Sequence, residues 1–211
     1  TCAEGQITAL HVGLGGTMSA LQIEQIAFKT RTGLAGKIND GLSAGGLAYG
    51  YKTDESRNDP TKRGGRGHLV IDDHEADVVR RIFEDYARGL SPKRIAEALD
   101  AEGVPPPRAR DPRTQGPALW TQSTINGNRK RGTGILNNEL YVGSRVWGRL
   151  TYMKHPDTRR RVSRPSEDIV TAEVPELRIV PQELWDQAKR RQADLDALRQ
   201  TGRDDEPPPC S

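Results

Sequence analysis

The sequence predicts an α+β fold: a long N-terminal helix, a Gly-rich linker, and a mainly helical domain of helix-turn-helix type with a small antiparallel sheet. Three observations lead there. From Met18 to Ile38, Leu21, Ile23, Ile26, Ala27, Leu34 and Ile38 recur at roughly helical spacing. Three short segments between Asp72 and Ile125 each open on a helix-start signal. Beyond them, "LYVGSRVWGRLTYM" and "DIVTAEVP" are rich in the β-branched and aromatic residues of short strands.

In chain order, "GQITALHVGL" (Gly5 to Leu14) alternates as a strand, with Ile7, Ala9 and His11 on one face and Leu10 and Val12 on the other. Thr17 then reads as the N-cap of the long helix, whose second half is weakened by Gly33 and Gly36. One strand cannot bury so long an apolar stripe, so the helix needs a further body or a partner helix. Asp72 to Glu75 is a capping box, in which the Asp carboxylate takes a backbone N–H and the Glu reaches back. It opens a helix with Val78, Val79, Ile82, Phe83 and Tyr86 inward, closed by Gly89. Ser91-Pro92 starts the next, with Ile95, Ala96, Ala98 and Leu99 inward and Gly103 at its end. Trp120-Thr121 starts a third, through about Ile125, with Trp120 as its hydrophobic staple. The connection from Gly103 to Trp120 is longer than the usual helix-turn-helix turn of three or four residues. "LVI" at 69–71 and "RRRV" after the turn "HPDT" add short strands, and Val180-Pro181 starts a last helix with Leu184, Trp185, Ala188 and Leu195 inward. The expected divisions are 1–40 (strand and long helix), 41–66 (linker), 67–195 (helix-turn-helix-like domain) and 196–211 (disordered tail). The mid-strand opening and the polar end "DDEPPPCS" lead to the expectation of a piece of something longer.

Apolar residues are 34% of the chain and charged residues 29%, so the core is modest and the solvated surface large. The net charge of +3 is uneven: residues 105–164 hold 13 basic and 3 acidic side chains, a local +10 that leaves −7 elsewhere. Such a basic middle suits either a polyanion partner or a plain solvated surface. Cys2 and Cys210 stand at opposite ends with no ligand spacing, which argues for a reducing cytoplasm and against a zinc site. No apolar run has the length of a bilayer span, and no partner in a membrane is expected.

Two segments carry candidate chemistry. "GLSAGGLAYGYKT" is one residue away from a phosphate-cradling G-x-x-x-x-G-K-[ST] loop, but a helix enters it, no helix leaves it, and Tyr51 displaces Lys52. Its small residues suit two readings. One is a thin strap along a DNA minor groove, about 6 Å wide, touching it through Lys37, Ser43, Tyr49, Tyr51 and Lys52. The other is a hinge without DNA contact. The third helix presents Thr121, Gln122, Ser123, Thr124, Asn126 and Asn128, all able to hydrogen-bond base edges, followed by Arg129, Lys130 and Arg131 as phosphate neutralisers. Arg145 and Arg149 extend that positive charge. Arg159, Arg160 and Arg161 suit phosphate contact and plain exposure equally. His11, His68, His74 and His155 are scattered, and capping accounts for Asp72, Asp73 and Glu75, so no catalytic residue, metal ligand or cofactor is expected.

Taken together, "GTMSALQIEQIAFKTRTGLAGKINDG", "GGLAYGYK", "DDHEADVVRRIFEDYARGLSPKRIAEALDAEGV", "WTQSTINGNRKRGTGILNNELYVGSRVWGR" and "HPDTRRRVSR" resemble the large serine recombinases of the resolvase/invertase and phage-integrase type, over about Gly5 to Arg191. The resemblance implies a catalytic domain whose serine attacks a DNA phosphodiester and whose arginines stabilise the phosphoryl transition state. It further implies a long dimerisation helix, a recombinase domain that reads a half-site, and often a zinc ribbon. Here it covers the last strand and long helix of the catalytic domain, with Lys29 and Arg31 near where the family places basic residues by the phosphate. The nucleophile's region would precede Thr1, and the Cys-rich ribbon has no counterpart. The implied role is the DNA-binding part of a site-specific recombinase acting in integration, excision or inversion. It would bind double-stranded DNA as a homodimer (a tetramer in the full-length synaptic complex) in the cytoplasm, on the nucleoid. Two other readings are a stand-alone helix-turn-helix regulator or inactive remnant, and a nucleotide-dependent enzyme in which nucleotide would protect Lys52.

Overall fold

The structure, a computed structural model, describes residues 9–57, 61, 66–110, 116–155, 157, 158 and 160–204. It is α+β, with five α-helices and three two-stranded antiparallel sheets among these residues.

Helix α1 runs Ala9–Asn39. The strand expected over 5–14 is therefore helical from Ala9 onward, and its first residues lie outside the described ones. The physical reason is hydrogen bonding: a lone strand leaves its backbone polar groups unpaired, whereas a helix pairs its own. Thr17 accordingly sits inside the helix and does not cap it. Leu21, Ile23, Ile26 and Phe28 stand 59–71% exposed, so the stripe is unburied, as its length beside so little chain required. The last turns pack down, Ile38 being buried and the helix meeting strands β3 (Ser144–Trp147) and β6 (Val170–Glu173). Gly41, at φ +71°, ends it in a Schellman motif, with Gly41 N–H donating to Ile38 and Leu42 N–H to Lys37.

The segment read as a linker enters the core. Tyr49 and Tyr51 are 5% and 0% exposed. The Tyr51 hydroxyl lies 2.8 Å from the Leu177 carbonyl and 3.0 Å from that of Leu140, and the Tyr49 hydroxyl donates to Pro105 over 3.1 Å. Gly50 has φ +92°, and a Cβ there would stand 2.9 Å from Ile179 Cδ1, so glycine suits the position. Its N–H donates to Glu75 over 2.7 Å. The capping box is thereby half realised. Asp72 caps α2 (Asp73–Ala87) by accepting from Glu75 N–H, but the Glu75 carboxylate turns to Gly50 and to Arg110 rather than back to the cap. Arg110 also donates to the Tyr51 carbonyl, over 3.2 Å. Strand β1 (Tyr51–Thr53) pairs with β2 (Leu69–Ile71), Tyr51 opposite Ile71.

Helix α3 (Pro92–Ala101), capped by Ser91, buries Ile95, Ala96 and Leu99 and lies against both α2 and the short α4 (Gln122–Asn126). Helix α5 (Gln182–Asp204) packs along α2 through the buried Trp185 and Ala188, and it runs on into the stretch expected to be a tail. Its Arg191 donates to the Tyr86 carbonyl in the last turn of α2 and to the Gly89 and Leu90 carbonyls just beyond it. Aromatic rings link these parts: Tyr51 stacks on Tyr141, Tyr141 meets Phe83 edge-on, and Phe83 stacks on Trp185 at 5.6 Å.

The expected long strand from Leu140 divides. Residues Glu139–Val142 form a 3₁₀ turn, because Asn138 accepts from Leu140 N–H at its start and Gly143 leaves it at φ +82°. Strand β3 then pairs with β6, Ser144 opposite Glu173 and Trp147 opposite Val170. Strands β4 (Leu150–Lys154) and β5 (Arg161–Pro165) form the hairpin expected around "HPDT".

Replacing Tyr51 by Phe removes the hydroxyl proton shared between the Leu177 carbonyl and that of Leu140, which also accepts from Gly143 N–H. It should cost about 1–2 kcal/mol, read in thermal denaturation as a Tm lower by roughly 2–8 °C.

Candidate functional site

Helix α4 is positioned from both ends. Ahead of it, Trp120 is buried edge-on to Tyr49, its ring N–H donating to Val104 over 2.8 Å and its backbone N–H to Asp100 over 2.9 Å. Thr121 caps the helix by accepting from Thr124 N–H, and its hydroxyl also meets those of Ser123 and Thr124. Only Ile125 of α4 is buried. Behind it, Gly127 takes φ +50°, and a Cβ there would stand 1.8 Å from the Thr133 carbonyl, so the chain can fold back this tightly only through glycine. Asn137, 4% exposed, donates from Nδ2 to the carbonyls of Asn126 (2.6 Å) and Thr133 (2.9 Å), fixing both sides of that loop.

The result gathers Thr121, Gln122, Ser123 and Asn126 around one open depression of about 400 Å³, with Gly127 at its edge. Thr124 is half-buried. Asn128 is exposed but occupied in part as a cap, accepting from Arg131 N–H. The 3₁₀ turn Arg129–Arg131 then displays the basic triplet. Arg129 is ion-paired with Asp196, Lys130 is exposed, and Arg131 reaches Ser163 across 3.3 Å. A second depression, about 430 Å³, brings Arg131 and Arg149 together with Arg31, Trp147 and Tyr152. There Arg149 pairs with Glu139 at 2.7 Å, and Arg31 holds Thr151 and Asp168. A third, about 260 Å³, joins Lys37 and Ser43 to Arg66 beside the Gly-rich segment, the Lys37 ammonium donating to the Arg66 carbonyl.

Three of the residues expected on a binding surface are not on one. Tyr49 and Tyr51 are buried and their hydroxyls bonded within the core, and Arg145 is 6% exposed inside the fold. Burial first of all, and then the nearby Glu75, pushes the Tyr49 hydroxyl up to about 12. Lys52 is exposed and faces Asp72 at 3.8 Å. Arg160 and Arg161 are exposed, with Arg161 stacked on Tyr152 at 3.9 Å, while Arg159 lies outside the described residues.

Asn137 and Lys189 were not singled out from the sequence. The Lys189 ammonium donates to the Leu136 carbonyl (2.8 Å) and to the side-chain oxygens of Asn137 and Gln192 (both 3.1 Å), so α5 clamps the loop that Asn137 holds. No sequence signal marks the clamp, since Lys189 reaches Leu136 and Asn137 across 53 and 52 positions. Burial, helped by Arg129 and Arg149, pushes Lys189 down to about 8.

Among the described residues no group of His, Cys, Asp and Glu is placed to hold a metal ion, and no helix is long and apolar enough to cross a membrane. In comparison with known families, the model described as Recombinase matches residues 73–194, more than half of the chain. No curated protein and no solved structure matches it.

Lys189 supplies a pH test. Folded, it loses its proton near pH 8; unfolded, near the ordinary 10.5. Between these the unfolded chain binds the extra proton, so stability rises with pH. Above about pH 10 the unfolded chain also loses the Tyr49 proton that the folded state retains up to about 12, and stability falls again. Thermal melts from pH 7 to 11 should therefore show Tm rising between 8 and 10, and Lys189→Met should flatten that rise.

Proposed function

The chain belongs to the Recombinase family, and from that premise we propose that it is the DNA-binding part of a serine-type site-specific recombinase that recognises a recombination half-site in double-stranded DNA. The observation that carries this reading is the surface of α4. Gln122, Ser123 and Asn126 border one open depression, and the chain continues directly into Arg129, Lys130 and Arg131. This surface lies within the segment whose local charge is +10, in a chain of net +3. Helices α2, α3 and α4 act as a loose helix-turn-helix, with α4 in the major groove reading base edges and the basic triplet on phosphates.

Two further parts fit the same reading. Lys37, Ser43 and Arg66 border the Gly-rich segment, where a Cβ on Gly45 or Gly46 would meet nothing within 4 Å. That thin edge follows the minor groove, with the tyrosines inside holding it in place. The exposed Leu21, Ile23, Ile26 and Phe28 pack against a second copy, so the protein binds DNA as a homodimer. No residue of the chain is assigned to the strand-cutting chemistry.

Binding to a duplex carrying the half-site, followed by fluorescence anisotropy, should weaken roughly 10³- to 10⁵-fold between 50 and 200 mM salt if six to ten phosphates are contacted. Binding that is absent at low salt, or indifferent to salt, overturns the reading. Gln122→Ala should lose about 1–3 kcal/mol on the half-site and little on a shuffled duplex, whereas Lys130→Ala should weaken both about equally. Identical behaviour of the two variants would take α4 out of the reading role.

A further inference from the structure

Strands β4 and β5 form a two-stranded sheet of their own, in which residues directly opposite each other share a face and neighbours along a strand alternate. Tyr152, Ser163 and Arg161 therefore stand on one face, and Thr151, Met153, Val162 and Arg164 on the other. The Tyr152 face meets the basic triplet behind α4, where the Arg131 guanidinium donates to the Ser163 hydroxyl over 3.3 Å. Leu150 and Tyr152, from that same face of β4, line the depression of about 430 Å³ with Arg31, Arg131 and Arg149. The hairpin thus continues the surface on which α4 ends.

Residues 150–165 hold five basic side chains and one acidic, a local +4. A run of cations is ordinarily a solvated face, and two observations set this one apart. Arg81, Arg110, Arg129 and Arg149 are each held by a carboxylate. Among the described residues, the side chains of Arg160, Arg161 and Arg164 meet no carboxylate and donate no hydrogen bond. Secondly, Arg161 is already placed, its guanidinium lying 3.9 Å from the centre of the Tyr152 ring, which is itself 52% exposed. Stacking occupies the flat side of the guanidinium and leaves its in-plane N–H donors unused. A fork held in this way loses less freedom when a phosphate takes two of those donors side by side.

We propose that the Tyr152 face of the β4–β5 hairpin is a second DNA-binding element, lying on the sugar-phosphate backbone beside the groove that α4 enters. Arg161 is the ligand of a backbone phosphate there, and Tyr152 is the residue that positions it. The proposal rests on the reading of α4 as a DNA surface, since Arg131 joins the two. Uncompensated positive charge continuous with that surface is what suits the hairpin to the same polyanion.

The test is fluorescence anisotropy of a labelled duplex of random sequence, because a phosphate contact does not depend on sequence. Arg161→Ala should bind roughly tenfold more weakly than the wild type at low salt. The slope of its log affinity against log salt should be shallower by about 0.9, the share of one phosphate. Arg164→Ala removes the same charge from the opposite face and should stay close to the wild type. All these positions are exposed and the substitutions break no internal hydrogen bond, so the Tm should hold. Tyr152→Phe keeps the ring and should bind as the wild type does, whereas Tyr152→Leu should lose affinity, and should lose none further once Arg161 is Ala. Arg161→Ala that binds and responds to salt like the wild type overturns the proposal, and so does an equal loss in Arg164→Ala. A loss in Tyr152→Leu that persists in full beside Arg161→Ala overturns the positioning role. Wild-type chain that binds no duplex at low salt overturns the α4 reading and this element together, whereas wild-type binding untouched by Arg161→Ala overturns the hairpin alone.

Discussion

The rest of the fold is built around three residues threaded through its centre, Tyr49-Gly50-Tyr51. Glycine suits the middle because the backbone turns through φ +92°, which other residues rarely adopt, and a Cβ there would press on Ile179 Cδ1. Its N–H is taken by Glu75, and the tyrosines on either side carry hydroxyls to Pro105, Leu140 and Leu177. Tyr141 closes the arrangement by donating to the Tyr49 carbonyl over 2.9 Å. A short segment thus holds the start of α2, the connection ahead of α4 and the turn ahead of β3. Buried polar groups at its centre find their partners only when all these parts are in place, which makes the packing specific as well as tight.

From that centre the order passes outward to the candidate surface. Trp120 rests on Tyr49 and thereby fixes where α4 begins. Phe83 and Trp185 carry the aromatic packing to α5, and Lys189 on α5 holds Leu136 and Asn137 behind the loop that ends α4. Helix α4 has five residues, too few to be stable alone, and it is a helix because it is held at both ends. Its exposed hydroxyl and amide groups are consequently presented by a rigid base.

Much of this surface was legible in the sequence. Caps are local: Ser91 and Thr121 accept from N–H groups three residues on, so their signals survive in any context. Thr121, Gln122, Ser123 and Asn126 were found together because adjacent residues on one helical turn stay adjacent after folding. The tyrosines were misplaced because a glycine-rich, small-residue stretch reads as exposed linker, and only partners 25 to 126 positions away reveal that it is core. Arg145 failed for the same reason: an Arg in a short strand carries no local sign that it will be buried. The opening alternation of "ITALHVGL" suited a strand, yet without a neighbouring strand the backbone from Ala9 pairs with itself in α1.

The sequence by itself determined the helices with strong ends, the hairpin around His155, the basic middle, and an apolar stripe on α1 that stands exposed at Leu21, Ile23 and Ile26. All of these follow from periodicity, caps and charge, which depend on near neighbours. The tertiary structure alone decided which small and polar residues lie inside: Gly50 against Ile179, Glu75 turned from its cap to Gly50, Asn137 between two carbonyls, and Arg145 buried on β3. Burial and hydrogen-bond satisfaction are properties of groups brought together from distant positions, and no local pattern encodes them.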